Sequence, residues 1–346
     1  MKKILIFGAG SIGNHMTNAC IKLGFQVYIT DKSNKALAFM KNDLFKKRYG
    51  YWNEKNIKQI QYENLNKLND IIFDLIILGT PPKSHLMLAE FCKKNYNFKN
   101  LLIEKPLCSY KDDQNKFEKF YKENKFRTYC GYNHSISPAI KKLINLANHK
   151  NDQLYFIDVK WKEGWKGIMN AHYWLKDEFS SYLGDMKSGG GALQEHSHGL
   201  HLSLYLMEKL FSKNYICTNY ASNFKSKKEK KYDYFNNLNF KSKDKNLALE
   251  IDLIEPTSLK QITLNFKSKT IRWNCNFKKN LDIIQIITKK GTKTLEFKKT
   301  RESEFANEMK HIFSIKSNKN YKLSPINVLY GIKTMNIIKK VFKKIN

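Results

Sequence analysis

Gly8-Ala9-Gly10-Ser11-Ile12-Gly13 constrains the fold of this chain more than any other stretch, because of what stands on either side of it. Before it, Lys3 to Phe7 is an apolar run of strand character. After it, Ser11 to Leu23 carries helical periodicity with Gly24 as its stop, and Phe25 to Thr30 reads as a second strand. Strand, glycine turn, helix and strand make a βαβ unit, the start of a parallel sheet. In such a unit the first glycine allows a tight turn and the second lets the main chain approach a pyrophosphate. The third lets helix pack on strand, and the helix N-terminus offers unpaired N–H groups to an anion.

Asp31 follows the second strand, eighteen residues beyond Gly13. A carboxylate there accepts hydrogen bonds from an adenosine ribose and repels a 2′-phosphate, so NAD is favoured over NADP; Lys32 and Ser33 beside it keep NADP open. Two more strands follow, Asp74 to Leu78 and Asn100 to Glu104. The first runs into Gly79-Thr80-Pro81-Pro82-Lys83-Ser84-His85 and the second into Glu104-Lys105-Pro106-Leu107. Ligands of an open doubly wound sheet bind outside the carboxyl ends of its strands, so both tails belong at the mouth of the site. The expected cofactor contacts are Gly8, Gly10, Ser11, Ile12, Gly13, Asp31, Lys32, Thr80, Pro81, His85, Glu104 and Lys105. Pro106 is expected to fix the turn and leave Lys105 extended. For His85, on the first turn of the next helix, satisfying backbone groups is a stronger expectation than catalysis.

Composition narrows the class. The 346 residues suit two domains, and 42% hydrophobic with 13% aromatic residues is a globular composition. A formal charge of +31 invites a nucleic-acid partner, yet Arg48, Arg127, Arg272 and Arg301 are the only arginines. Phosphate and base readers draw on the planar guanidinium fork. Abundant Lys, Asn, Ile, Phe and Tyr is instead what an AT-rich coding sequence yields, so no specific nucleic acid is expected. The six cysteines are scattered, without metal-ligand spacing or disulfide density. No window is apolar enough to span a membrane, and glycines interrupt the opening MKKILIFGAGSIG, so the expectation is a cytoplasmic protein with no membrane partner.

Past Ser137-Pro138, which starts a helix, Gln153 to Glu163 reads as a strand leading into an aromatic loop with Trp165, His172, Tyr173 and Trp174. Flat apolar faces with polar edges suit a sugar. Ser188 to Phe211 then supplies three glycines, expected to let backbone approach a ligand, and a helix carrying Glu195, His196, His198 and His201. At about 100° per residue Glu195 and His198 share a face while His196 points away. An imidazole beside a carboxylate can take the proton of a sugar hydroxyl as hydride leaves the same carbon. His198 is the first choice for that base, with Glu195 orienting it, and His201 the second. One helix cannot aim Glu195, His198 and His201 at one point, so no metal is expected. From residue 213 on, seven strand-like runs fit an antiparallel sheet, closed by helices over 301 to 316 and from Ser324.

GAGSIG, TPPKSH, EKPL and GGGAL, in this order over residues 1 to about 210, resemble the Gfo/Idh/MocA oxidoreductases. The resemblance implies an α/β fold: an N-terminal Rossmann doubly wound parallel sheet, and a C-terminal α+β domain with an open, mostly antiparallel sheet that often forms the subunit contact. The domains are expected at 1–130 and 131–346, in a homo-oligomer, dimer or tetramer. It gives Lys105 contact with substrate and cofactor. In that family an Asp and, four positions on, a His follow the glycines; here those slots hold Glu195 and Gly199, a departure, and the base role passes to His198. Lys105, His198 and Glu195 are thus the expected catalytic residues. Substrate contacts are expected from Lys105, Tyr132, Asn133, His134, Trp174, His198 and His201. The implied activity is hydride transfer between NAD(P) and a secondary alcohol carbon of a sugar or nucleotide sugar; a non-catalytic NAD or sugar sensor is the alternative.

Overall fold

Aliphatic runs in the first third of the chain become strands buried on both faces, while later strands alternate buried and half-exposed positions. That contrast is the difference between a parallel sheet sandwiched by helices and an antiparallel sheet covered on one side. The computed structural model describes residues 1–124, 126–148 and 152–345. The chain divides into two compact units: Met1–Cys108 with Asp112–Asn133 and Arg301–Ile332, and Ser109–Lys111 with His134–Thr300 and Lys333–Asn346.

The first unit begins with strands β1 (Lys3–Phe7), β2 (Gln26–Asp31), β3 (Ile57–Gln61), β4 (Ile72–Phe73), β5 (Leu75–Leu78), β6 (Asn97–Phe98), β7 (Asn100–Ile103) and β8 (Arg127–Cys130). Six of them form a parallel sheet in the order β3-β2-β1-β5-β7-β8, and β4 pairs with β6. The order reverses between β1 and β5, the switch point of a doubly wound sheet. Helices α1 (Ser11–Lys22), α2 (Asn34–Phe39), α3 (Phe45–Tyr49), α4 (His85–Asn95) and α5 (Gln114–Lys122) connect the strands. Ile4, Leu5, Ile6, Ile76, Ile77, Leu101 and Leu102 are fully buried at its centre.

In the second unit, α6 (Pro138–Ala147), with Ser137 capping it through the Ile140 amide, precedes β9 (Leu154–Lys162). After α7 (Trp165–Ala171), α8 (Ala192–Glu195) and α9 (Ser197–Leu206) come β10 (Ile216–Lys227), β11 (Lys230–Ser242), β12 (Lys245–Asp252), β13 (Leu259–Phe266), β14 (Lys269–Lys278), β15 (Leu281–Thr288) and β16 (Gly291–Lys298). They form one sheet, β10-β11-β12-β9-β13-β14-β15-β16, in which β9 and β12 run parallel and every other pair is antiparallel. Leu247, Leu249 and Ile251 of β12 and Ile271 and Trp273 of β14 are buried, and the residues between them lie nearer the surface.

The expected fold class is observed, but the units are not the consecutive blocks 1–130 and 131–346. Helices α10 (Arg301–Ser314) and α11 (Asn318–Leu323) return to the first unit, and α12 (Val328–Ile345) closes the chain. The cause is the outer face of α1, which needs cover: His15 stacks on Phe305 with ring centroids 5.1 Å apart, Lys22 pairs with Glu302, and Phe25 meets Phe313 edge-on. The last helix starts at Val328 and not at Ser324, because the Ile326 carbonyl accepts the Cys130 amide at 2.8 Å. Among the described residues no helix is long and apolar enough to cross a membrane.

Candidate active site

The glycine loop between β1 and α1 shows why each of its glycines is needed. Gly8 has φ +105°, and a Cβ there would lie 2.7 Å from the Gly79 carbonyl oxygen. A Cβ on Gly13 would run into the Gly8 carbonyl, which is the helix–strand contact. Gly10 faces open space, and α1 starts from it without a side-chain cap. Uncapped first-turn amides beside open space are an anion site in waiting. Ser11 and Ile12 form that first turn, both half-buried.

A cleft of about 410 Å³ opens next to the loop, along the ends of β1, β2 and β5. Gly8, Asp31, Lys32, Thr80 and Pro81, which are among the expected cofactor contacts, line it together with Phe7, Tyr62, Lys83, Met87 and others. No motif announces Tyr62 or Met87; only the fold puts them there. The Asp31 carboxylate accepts from the Ala9 amide at 2.8 Å and the Ser33 amide at 2.8 Å, tying the two turns together. Lys32 sits over the Tyr62 ring, 5.7 Å from its centroid.

In Leu101–Cys108, Lys105 is the one side chain that is not buried. The Lys105–Pro106 peptide is cis. His85 is fully buried with its ring nitrogens at 3.0 Å from the Leu107 carbonyl and 2.8 Å from the Thr80 carbonyl; the neutral ring donates its single N–H to one of them and is wedged between the loop after β5 and the loop after β7. Burial pushes its pKa below the ordinary histidine range. His85 is thus placed as a backbone anchor and does not line the cleft. Glu104 also turns inward: its carboxyl rests on Gly131, where a Cβ would be 2.7 Å from Oε1. Near it, Glu308 of α10 is fully buried, and its carboxylate oxygens have no hydrogen-bond partner among the described residues. Burial first, and then the Glu104 charge, raise the Glu308 pKa well above the usual carboxylate range.

The second unit holds the other expected residues. The helix after the glycines is broken at His196, which has φ −93° and ψ 23° and separates α8 from α9. His196 points inward, with Nε2 at 3.2 Å from the Glu163 carbonyl, and burial lowers its pKa. Every residue of α9 is buried except His198, and Glu195 is the one residue of α8 that is not. His201 is fully buried. The His198 ring meets His134 edge-on at 4.8 Å and lies 6.0 Å from Trp161, while His134 meets Trp161 at 5.0 Å. The Gly199 departure is explained here, since a Cβ on Gly199 would lie 2.7 Å from the Trp161 Cβ. Trp161 fills the space that a larger side chain would need. Lys260 pairs with Glu163 at 2.8 Å and lies over the Trp161 ring.

Three sequence expectations read differently in space. The glycines of SGGGAL meet the chain itself and not a ligand: a Cβ on Gly190 would overlap the Tyr182 and Leu183 carbonyls, and one on Gly191 the Asp233 carboxyl. Trp165 lies on α7, its Nε1–H donating to the Tyr232 hydroxyl at 3.0 Å, while His172, Tyr173 and Trp174 form a second aromatic group, with Trp174 39% exposed. Tyr132, Asn133 and His134, expected substrate contacts, are all buried. Among the described residues no cluster of ligands could hold a metal.

No family model and no curated protein matches the sequence. Solved structures do match in fold along nearly the whole chain. A variant of KijD10, a 3-ketoreductase from Actinomadura kijaniata in complex with TDP-benzene and NADP, gives a TM-score of 0.74 at 10% identity, covering 99% of this chain and 97% of that one. The UDP-N-acetylglucosamine 3-dehydrogenase GnnA from Acidithiobacillus ferrooxidans gives 0.65 at 11% identity, covering 97% and 94%. A putative NADPH-dependent oxidoreductase from Desulfitobacterium hafniense gives 0.67 at 14% identity, covering 96% and 92%.

Proposed function

We propose that this protein is a Gfo/Idh/MocA-type oxidoreductase that moves a hydride between a nicotinamide dinucleotide and a secondary alcohol carbon of a nucleotide-linked sugar. The observation that carries this reading is a selective exposure: Lys105 is the one surface-reaching residue of Leu101–Cys108, and His198 the one of α9. Both are half-buried among buried neighbours, which leaves an ammonium and an imidazole within reach of a ligand while the residues around them are withdrawn from it. The three neighbours, all described as oxidoreductases and two as acting on nucleotide sugars or carrying TDP-benzene, support it. They lend no support to the non-catalytic sensor.

The first unit fits the cofactor: open space at Gly10, uncapped α1, and a partly apolar cleft with Asp31 and Lys32 at its edge. When bound, the nicotinamide supplies the hydride chemistry. Lys105 stabilises negative charge on the substrate oxygen, and His198 takes or returns the hydroxyl proton, with Glu195 supporting it. His134 and Trp161 hold the His198 ring by edge and face contacts. For the cofactor, NADP replaces the NAD that Asp31 alone favoured, because neighbours whose cofactor is given carry NADP or are described as NADPH-dependent. Both Asp31 oxygens already accept backbone amides, and Lys32 and Lys83 line the cleft as cations for a 2′-phosphate. A cytoplasmic homo-oligomer, dimer or tetramer, belongs to the same reading; light scattering that gave only monomer would remove that part.

The test follows reduced nicotinamide by absorbance with a panel of TDP- and UDP-linked sugars and their keto forms. Lys105→Met is expected to lose at least about 10²-fold in kcat while NADPH binding, read by fluorescence, stays within about threefold. Full activity in Lys105→Met on a turned-over substrate would overturn the assignment.

A further inference from the structure

Asp233 lies on β11, fully buried and far in sequence from every motif. Its Oδ2 accepts the Leu193 amide at 2.8 Å and the Asn236 side-chain amide at 2.6 Å. Asn236 is itself fixed by the Ser222 hydroxyl, which donates to Oδ1 at 2.6 Å. The Asp233 Oδ1 rests against Gly191 and has no hydrogen-bond partner among the described residues. Leu193 is the second residue of α8, so its amide is one that helix geometry leaves unpaired, and Gly191 offers α8 no side-chain cap. A carboxylate from a strand forty residues away supplies the missing cap. Gln194 adds a second tie, donating to the Met186 and Gly190 carbonyls at 2.8 Å each. α8 ends at Glu195; one residue later the chain enters α9, whose second residue is His198.

We propose that Asp233 is a positioning residue: its carboxylate fixes α8 and, across the His196 turn, the places of Glu195 and His198. This rests on the roles given to Glu195 and His198 under the proposed function. Three observations agree. Gly191 has φ +89° and admits no Cβ beside the carboxyl, so the glycine serves this contact. The His196 amide donates to the Ala192 carbonyl at 2.8 Å and the Gly199 amide to the His196 carbonyl at 3.0 Å, so α8, the turn and α9 are joined by backbone hydrogen bonds. Burial pushes the Asp233 carboxyl up to about 7 against the hydrogen bonds from Leu193 and Asn236. Ionisable groups on the surrounding elements include Glu195 on α8, Lys187 and Tyr182 before the glycines, Lys225 and Lys227 on β10, Glu250 and Asp252 on β12, and, on β11 itself, Lys230, Lys231 and Tyr232, which also feels Glu178. The ionised carboxylate holds the Leu193 amide more strongly than the neutral acid does, so the cap loosens as pH falls through about 7.

Two variants of the full chain separate the parts of the idea. Asp233→Asn keeps an acceptor for Leu193 and cannot titrate; Asp233→Ala removes both. In wild type the backbone NMR signals of Leu193, Glu195 and Ser197 are expected to move together with one midpoint near 7, and in Asp233→Asn that shared midpoint disappears. With substrate, Asp233→Ala should lower kcat on the order of 10²-fold at unchanged NADPH affinity, and Asp233→Asn should restore it to within about threefold. Unlinked midpoints for Leu193 and Ser197, or a wild-type kcat in Asp233→Ala, would overturn the proposal. If Asp233→Ala does not fold, the wild-type titration and the Asn variant decide alone. If wild type turns over no sugar, the proposed function fails, while the NMR midpoints still rule on Asp233.

Discussion

Single residues in this protein do opposite things with the same chemistry, depending on what surrounds them. Asp31 ends β2 and Glu104 directly follows β7, yet Asp31 lines the cleft and Glu104 turns inward onto Gly131. The motif fixed the position of each carboxylate; the neighbouring glycine decided where the second could go. On the proposed NADP reading Lys32, which lines the cleft with Lys83, meets the 2′-phosphate, so Lys32→Ala should weaken NADPH binding about tenfold and leave NADH within about twofold, read by fluorescence titration. Glu308 has no such surface role. Its pKa is raised by burial and then by Glu104, so the folded protein holds a proton that the unfolded chain releases. The stability this lends is present below the ordinary glutamate range and fades as pH rises toward the raised value. Urea midpoints of wild type should therefore fall between about pH 5 and pH 8 relative to those of Glu308→Gln, and parallel curves would contradict the assignment.

Secondary-structure elements were legible wherever their periodicity was self-contained. β1, α1 and β2, and the runs that became β10 to β16, agree with the expected segments because each has its hydrophobic pattern within a few residues. The single helix expected after the glycines failed at His196, and the reason lies outside the segment: its ring is drawn to the Glu163 carbonyl and α8 is held by Asp233. Neither partner is visible from local sequence, since one is 33 and the other 40 residues away. Gly199 shows the same limit. As a sequence feature it is a missing histidine; on α9 it is the space that Trp161 occupies. Gly199→His is expected to force that indole aside and cost about 1–3 kcal/mol in chemical unfolding, with no gain in activity. A variant as stable as wild type would mean that Trp161 yields easily.

At the scale of the whole molecule, the chain order and the spatial order differ. Residues 301–332 close the first unit through His15–Phe305, Phe25–Phe313 and the Arg127 guanidinium, which donates to the Ile315 carbonyl at 2.9 Å. A fragment ending at residue 300 should thus expose the outer face of α1, and its NADPH binding should fall below detection with a loss of cooperative unfolding. A fragment that kept both would show that the return segment is dispensable. What the sequence by itself determined was the βαβ start, the two kinds of sheet, the glycine turn with Asp31 after it, and the candidacy of Lys105 and His198. These are signals carried by spacing and by runs of a few residues. The tertiary structure alone decided which candidates stay exposed, that the later glycines serve Asp233 and main-chain carbonyls, and that the last helices belong with the first strands. Those outcomes depend on burial and on hydrogen bonds between residues far apart in the chain, and no local pattern encodes which distant group will claim a space.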